Sequence, residues 1–141
     1  LTGLLTGVLT LVMFSGESLG DLPFKLGIIS PWVSAIVGIE SGILIGMVSE
    51  YYTSYEYYPT QKLAKSCKNS AAITITGGLS VGMKSTMLTV MILGFALLIS
   101  HFCAGTFGVA MAAVGMLSFV SVTVSVDTYG PISDNSGGIA E

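Results

Sequence analysis

Arginine is absent from this sequence, and five lysines carry all of its formal positive charge. Charged residues of both signs make up only 9% of 141 positions, whereas 52% are apolar and the mean hydropathy is +0.83. An ordinary soluble domain carries about a quarter charged residues, so that class is excluded. No cluster of basic residues is available to neutralise phosphates in series, which excludes nucleic-acid binding. Cysteine is scarce as well: Cys67 and Cys103 show no metal-ligand or disulfide-framework spacing, and each is expected to be a buried or interfacial thiol. The first residues hold neither an initiator Met nor a basic stretch, so the apolar run that opens at Leu1 is not a signal peptide. A chain that begins inside such a run and stops at Glu141, just after a Gly-rich turn, is expected to be an internal piece of a longer one.

What the sequence does contain is long charge-free stretches. A bilayer core takes about 20 apolar residues in helical form. Residues 1–14 (LTGLLTGVLTLVMF) supply a truncated stretch of this kind, 26–49 carry only Glu40, 69–100 carry only Lys84, and 102–126 carry no charge. Helices are therefore predicted at about 1–14, 28–50, 70–100 and 105–135, all within one transmembrane domain spanning 1–141. The predicted fold class is all-α, a polytopic transmembrane helix bundle. Eighteen glycines fit that class, because helices in lipid associate through close backbone approach at small residues. Gly42 and Gly46 lie four apart, as do Gly108 and Ala112. Pro31 and Trp32 mark the start of the second span, where a first-turn proline is tolerated and tryptophan prefers the membrane interface.

Lysine counts set the orientation. The 50–68 connection holds Lys62, Lys65 and Lys68 beside Glu50 and Glu56 and is expected on the cytoplasmic side. The 15–25 connection, with Glu17, Asp21 and Lys25, and the turn at 101–105 then lie outside. The last span must rise to the cytoplasm, so residues 127–141 emerge beside the lysines. Tyr51, Tyr52, Tyr55, Tyr57 and Tyr58 are read as an interfacial aromatic belt, and His101 as an exposed turn histidine.

The segment VDTYGPISDNSGGIAE (126–141) carries the most chemistry. Asp127 and Asp134 are seven residues apart, which returns them to nearly the same helix face about 10 Å from each other. Acids at the mouth of a membrane helix are costly unless paired, solvated or metal-bound, and Mg²⁺ favours such oxygens, shared with substrate phosphates. From spacing alone, an acidic, solvated helix end fits as well. Pro131 is expected to kink the helix, and Gly137 and Gly138 to loosen or end it. Inside the membrane, Glu40 and Lys84 are counted to similar depth on neighbouring helices, which suggests a buried ion pair. Independent snorkelling remains the alternative.

Four stretches together resemble the membrane-bound, ion-pumping pyrophosphatases: SEYYTSYEYYPTQKLA (49–64), GLSVGMKST (78–86), GVAMAAVGMLS (108–118) and DTYGPISDNSGGIAE (127–141). The resemblance covers about residues 28–141. It implies a fragment of a sixteen-helix fold, providing roughly the eighth to the eleventh helix. It implies Mg-dependent hydrolysis of pyrophosphate coupled to H⁺ or Na⁺ transport, by an enzyme that this piece alone would not constitute. Asp134 falls where the family binds Mg-pyrophosphate, with Asp127 deeper on the same helix and Asn135 orienting the acids. The water-activating residues belong to other helices, so no catalytic residue is assigned here. Homodimers, K⁺ as an activator and a bacterial plasma membrane or an acidic organelle such as the vacuole belong to the same implication. The sequence departs from the usual pattern at Tyr58, where many relatives have Arg, and at Ser136, where Ala is usual. It has Lys84 where many bacterial members have an acid. The segments that set K⁺ dependence and ion choice fall outside these residues. On the residues alone, a secondary transporter or channel with a cation-binding acidic mouth and no hydrolysis is the competing function.

Overall fold

The computed structural model describes residues 1–16, 24–68 and 70–140. Glu17 and Asp21 of the predicted outer connection, and Glu141 of the terminal motif, lie outside the described residues. Among the described residues, all regular structure is helical: α1 (Thr2–Phe14), a 3₁₀ turn (Gly27–Ile29), α2 (Ser30–Thr53), α3 (Tyr58–Ser66) and α4 (Ala71–Ala140). The α2 and α4 segments are long and apolar enough to cross a membrane.

The start of α2 is built from a few local devices. Gly27 takes a positive φ of 65°, and the Leu26 amide donates to Ser30 Oγ at 2.9 Å. Pro31 occupies the first turn, where its missing N–H has no helical partner to lose. Trp32 Nε1 donates to the Gly3 carbonyl at 2.8 Å and its ring covers Gly7, so this side chain also clamps α1 to α2.

A single break organises α4. Ala104 (φ −143°, ψ 24°) and Gly105 (φ 60°, ψ −146°) leave helical space, and the second of these conformations is open essentially to glycine alone. The chain reverses there. A Cβ placed on Gly108 would overlap the carbonyl oxygen of Ser100, although eight residues along a straight helix stand about 12 Å apart. Thus α4 is a hairpin of two limbs, 71–103 and 106–140. The Lys25 amide donates to the Cys103 carbonyl at 3.0 Å, and Phe14, Phe24 and Phe107 form an aromatic cluster with centroids 5.4 to 6.0 Å apart. These contacts hold the reversal against the ends of α1 and α2.

Register follows from the contacts. Leu63 of α3 meets Gly77 near the start of the first limb, while Lys25 meets Cys103 at its end, so that limb is antiparallel to α2. Along the second limb, Ser34 adjoins Gly108, Gly38 adjoins Ala112, Gly42 adjoins Met116 and Gly46 adjoins Phe119. This limb runs parallel to α2. Cβ atoms on Gly38 or Gly115 would run into the backbone carbonyls of Ala112 and Ala35 respectively. The two backbones therefore touch, and the core is a seam of Ala35, Gly38, Ser41, Gly42, Gly108, Ala112 and Gly115. Dispersion over that contact drives such association in lipid, where apolar area alone gives none. Large side chains such as Leu79, Met83, Met87 and Val90 point outward, as a surface facing lipid or further helices requires.

Candidate functional site

The second limb of α4 outruns its partner. Phe119 packs on α2 at Gly46, and every residue from 120 to 140 is exposed. Thr53, the end of α2, stands level with about residue 126 in this parallel register. Asp127 therefore lies about level with the end of α2, and Asp134 stands about 10 Å beyond that end. This is the end of the molecule that carries α3 with Lys62 and Lys65, followed by Lys68.

Polar side chains along the projecting stretch divide into two sets. The hydroxyls of Ser125, Thr128 and Ser136 donate to carbonyls of their own helix at 2.8 to 2.9 Å. Asp127, Asp134 and Asn135 remain exposed, with their side-chain oxygens available to a ligand. Among the described residues, no three His, Cys, Asp or Glu side chains converge as a metal cage. This chain can accordingly offer a hard cation the carboxylate of Asp134 or that of Asp127, which stand about 10 Å apart along the helix and cannot share one ion. Phosphate oxygens, water or other protein groups would have to complete a shell of six. The donor set suits Mg²⁺, which usually keeps several waters and takes one or two carboxylates.

The helix of this motif does not end at its glycines, and its dihedrals stay helical at its proline. The helix continues through Pro131, with non-helical dihedrals confined to Ala104 and Gly105. Pro131 has no N–H to donate to the carbonyl of residue 127, so the helix runs on with that one bond missing. The same helix runs on through Gly137 and Gly138 to Ala140. Glycine lowers helix propensity by about 1 kcal/mol relative to Ala, which does not by itself stop a helix.

The structure does not bring Glu40 and Lys84 together. Lys84 lines a cavity with Tyr51 and Tyr52 at the end of α2, whereas Glu40 is exposed eleven residues earlier on that helix, about 17 Å away along its axis. The depth count was offset because the first limb starts well beyond the end of α2. His101 is exposed in the last turn before the reversal, beside Lys25 and Phe102. Cys103 is buried and Cys67 exposed.

One element escaped the sequence reading. Residues 58–66, read as part of a connection, form α3. Pro59 in the first turn and Leu63 one turn later, between lysines at 62 and 65, were the available signals.

A comparison with known proteins places these features in context. The model of the family described as inorganic H+ pyrophosphatase matches residues 1–141. A K+-stimulated pyrophosphate-energized sodium pump of Thermotoga maritima is 52% identical over 142 residues, which covers 100% of this chain and 20% of that protein. A putative pump of the same description from Clostridium tetani is 39% identical over 93% of the chain and 20% of its own length. A K+-insensitive pyrophosphate-energized proton pump of Methanosarcina mazei is 35% identical over 95% of the chain and 21% of its own length. The chain thus spans about a fifth of the curated relatives it matches. With a match that runs from the first residue to the last, over a glycine-seamed helix pair ending in paired aspartates, the chain belongs to the inorganic H+ pyrophosphatase family.

Proposed function

We propose that this chain forms part of a pump that hydrolyses Mg-pyrophosphate and moves H⁺ or Na⁺ across a membrane, and that Asp134, Asp127 and Asn135 are its share of the substrate site. The observation that carries the reading is the unpacked end of α4. Two exposed carboxylates seven residues apart lie beyond the end of α2 on the lysine-bearing side, with no cation paired to them among the described residues. Solvated acids need no partner, but acids of a pyrophosphatase at such a rim serve a metal ion shared with phosphate. The named activities of the relatives support the substrate and the ions.

In this reading Asp134, the outermost acid, holds the metal together with substrate oxygens. Asp127 sits deeper, between the substrate and the packed seam, and Asn135 orients a carboxylate or a phosphate by hydrogen bonding. Bound Mg²⁺ would neutralise phosphate charge and so stabilise the leaving group. The chain itself contributes a rigid helical mount. Packing of residues 106–119 against α2 fixes the direction in which 127–135 project.

The test uses the complete polypeptide carrying this sequence, in membranes. Asp134→Asn should reduce Mg-dependent pyrophosphate hydrolysis and ion uptake in parallel. Unchanged hydrolysis would remove Asp134 from the site. Ion movement by the unaltered protein without pyrophosphate consumption would instead identify a secondary transporter.

A further inference from the structure

A cavity of about 420 Å³ opens at the lysine-bearing end of the bundle, between the last turn of α2, the short helix α3 and the first turns of α4. It exists because Gly77 lets α3 come close. A Cβ there would stand 3.1 Å from Leu63 Cδ1, so Leu63 seats on the glycine and carries Lys62 to the cavity wall. Lys84 reaches the same space from the first limb of α4, level with Tyr51 and Tyr52.

The lining has a definite character. Lys62 and Lys84 are its charged members, and no carboxylate among the described residues lines it: Glu50 and Glu56, though adjacent in sequence, are not part of the wall. Lys62 Nζ lies 6.0 Å from the Tyr58 ring centroid, which is a weak attachment. Tyr51, Tyr52 and Tyr58 line it as well, and Leu63, Ile73 and Val81 give an aliphatic side. Two ammonium groups on one small cavity repel each other unless an anion lies between them. A free phosphate would satisfy the charges and leave the aliphatic wall wet. A neutral lipid would cover that wall and leave the charges unmatched. A phosphodiester attached to acyl chains satisfies both, and the tyrosines place the cavity where headgroups lie.

We propose that this cavity is a binding site for an anionic phospholipid of the lysine-side leaflet, its phosphate held by Lys62 and Lys84 and an acyl chain lying along Leu63, Ile73 and Val81. The site is separate from the aspartate rim and does not depend on pyrophosphate.

The complete polypeptide in nanodiscs of phosphatidylcholine with increasing phosphatidylglycerol provides the test, with retained lipid counted by native mass spectrometry. Phosphatidylglycerol should be retained in preference to phosphatidylcholine. Lys62→Gln and Lys84→Gln should each weaken that retention about fivefold, and together about thirtyfold. Lys68→Gln, outside the cavity, should leave it unchanged. Should the Gln variants fail to insert, Lys62→Arg with Lys84→Arg keeps the charge and must keep the lipid. Equal retention by the double Gln variant, or loss in the Arg variant, overturns the site. Displacement of the lipid by millimolar inorganic pyrophosphate would show a soluble-anion pocket. Cross-linking of Tyr52→Cys to another segment of the same polypeptide would show that protein fills the cavity. Either result also overturns the proposal.

Discussion

The two halves of the second α4 limb obey different rules. From Gly108 to Phe119 the helix lies backbone to backbone on α2, and positions are chosen for smallness. From Val120 to Ala140 every residue is exposed, and the sequence turns to hydroxyls, acids and an amide. The same helix thus changes from an element defined by its neighbour to one defined by what it presents. Substitutions in the inner half should alter stability, and those in the outer half should alter chemistry.

That separation can be broken most forcefully at its two extremes. Asp134→Asn is expected to lower Mg-dependent hydrolysis at least about a hundredfold. Thermal stability of the detergent-solubilised protein should meanwhile shift by no more than about 0.5 kcal/mol, as for an exposed position. Loss of stability with hydrolysis intact would reverse the assignment of the two halves. Asp127→Asn, nearer the packed rim, should cost activity about ten- to a hundredfold, and a KM titration against Mg²⁺ reports whether the loss tracks metal affinity.

Gly38→Val probes the inner half. Its side chain would strike the Ala112 carbonyl, and overpacking of this kind costs about 1–3 kcal/mol. A lowered midpoint of thermal unfolding is the expected result. An unchanged midpoint would mean that the helices are not in backbone contact. The smallest effect belongs to Ser100→Ala. Ser100 Oγ is fully buried and is the one such side-chain atom among the described residues without a hydrogen-bond partner. Its removal should be neutral or stabilising by up to about 1 kcal/mol. Destabilisation would show that the hydroxyl has a partner outside this chain.

How much of this was legible in the residues depended on whether the signal was local. Apolar runs located the spans because burial in lipid acts on each segment separately. Pro31 and Trp32 marked the start of α2 for the same reason. Small residues were recognised as a packing device through Gly42, Gly46, Gly108 and Ala112. The tightest contacts, Gly38 with Ala112 and Gly115 with Ala35, depend on which faces meet and on a parallel register that the sequence alone does not state. The depth count for Glu40 and Lys84 went astray because it assumed helices of equal extent. Recognition of DTYGPISDNSGGIAE located the acids, and their freedom from other groups became visible only with the end of α2 in place.

The reversal at Ala104 and Gly105 has a mechanical consequence. Two residues join limbs that each extend about 50 Å, and the Lys25–Cys103 backbone bond pins the joint. Such a hinge has no slack to absorb sliding. Any axial travel imposed on the aspartate-bearing limb must carry its companion along in the same direction, so a push delivered at one end of the hairpin is felt at the other.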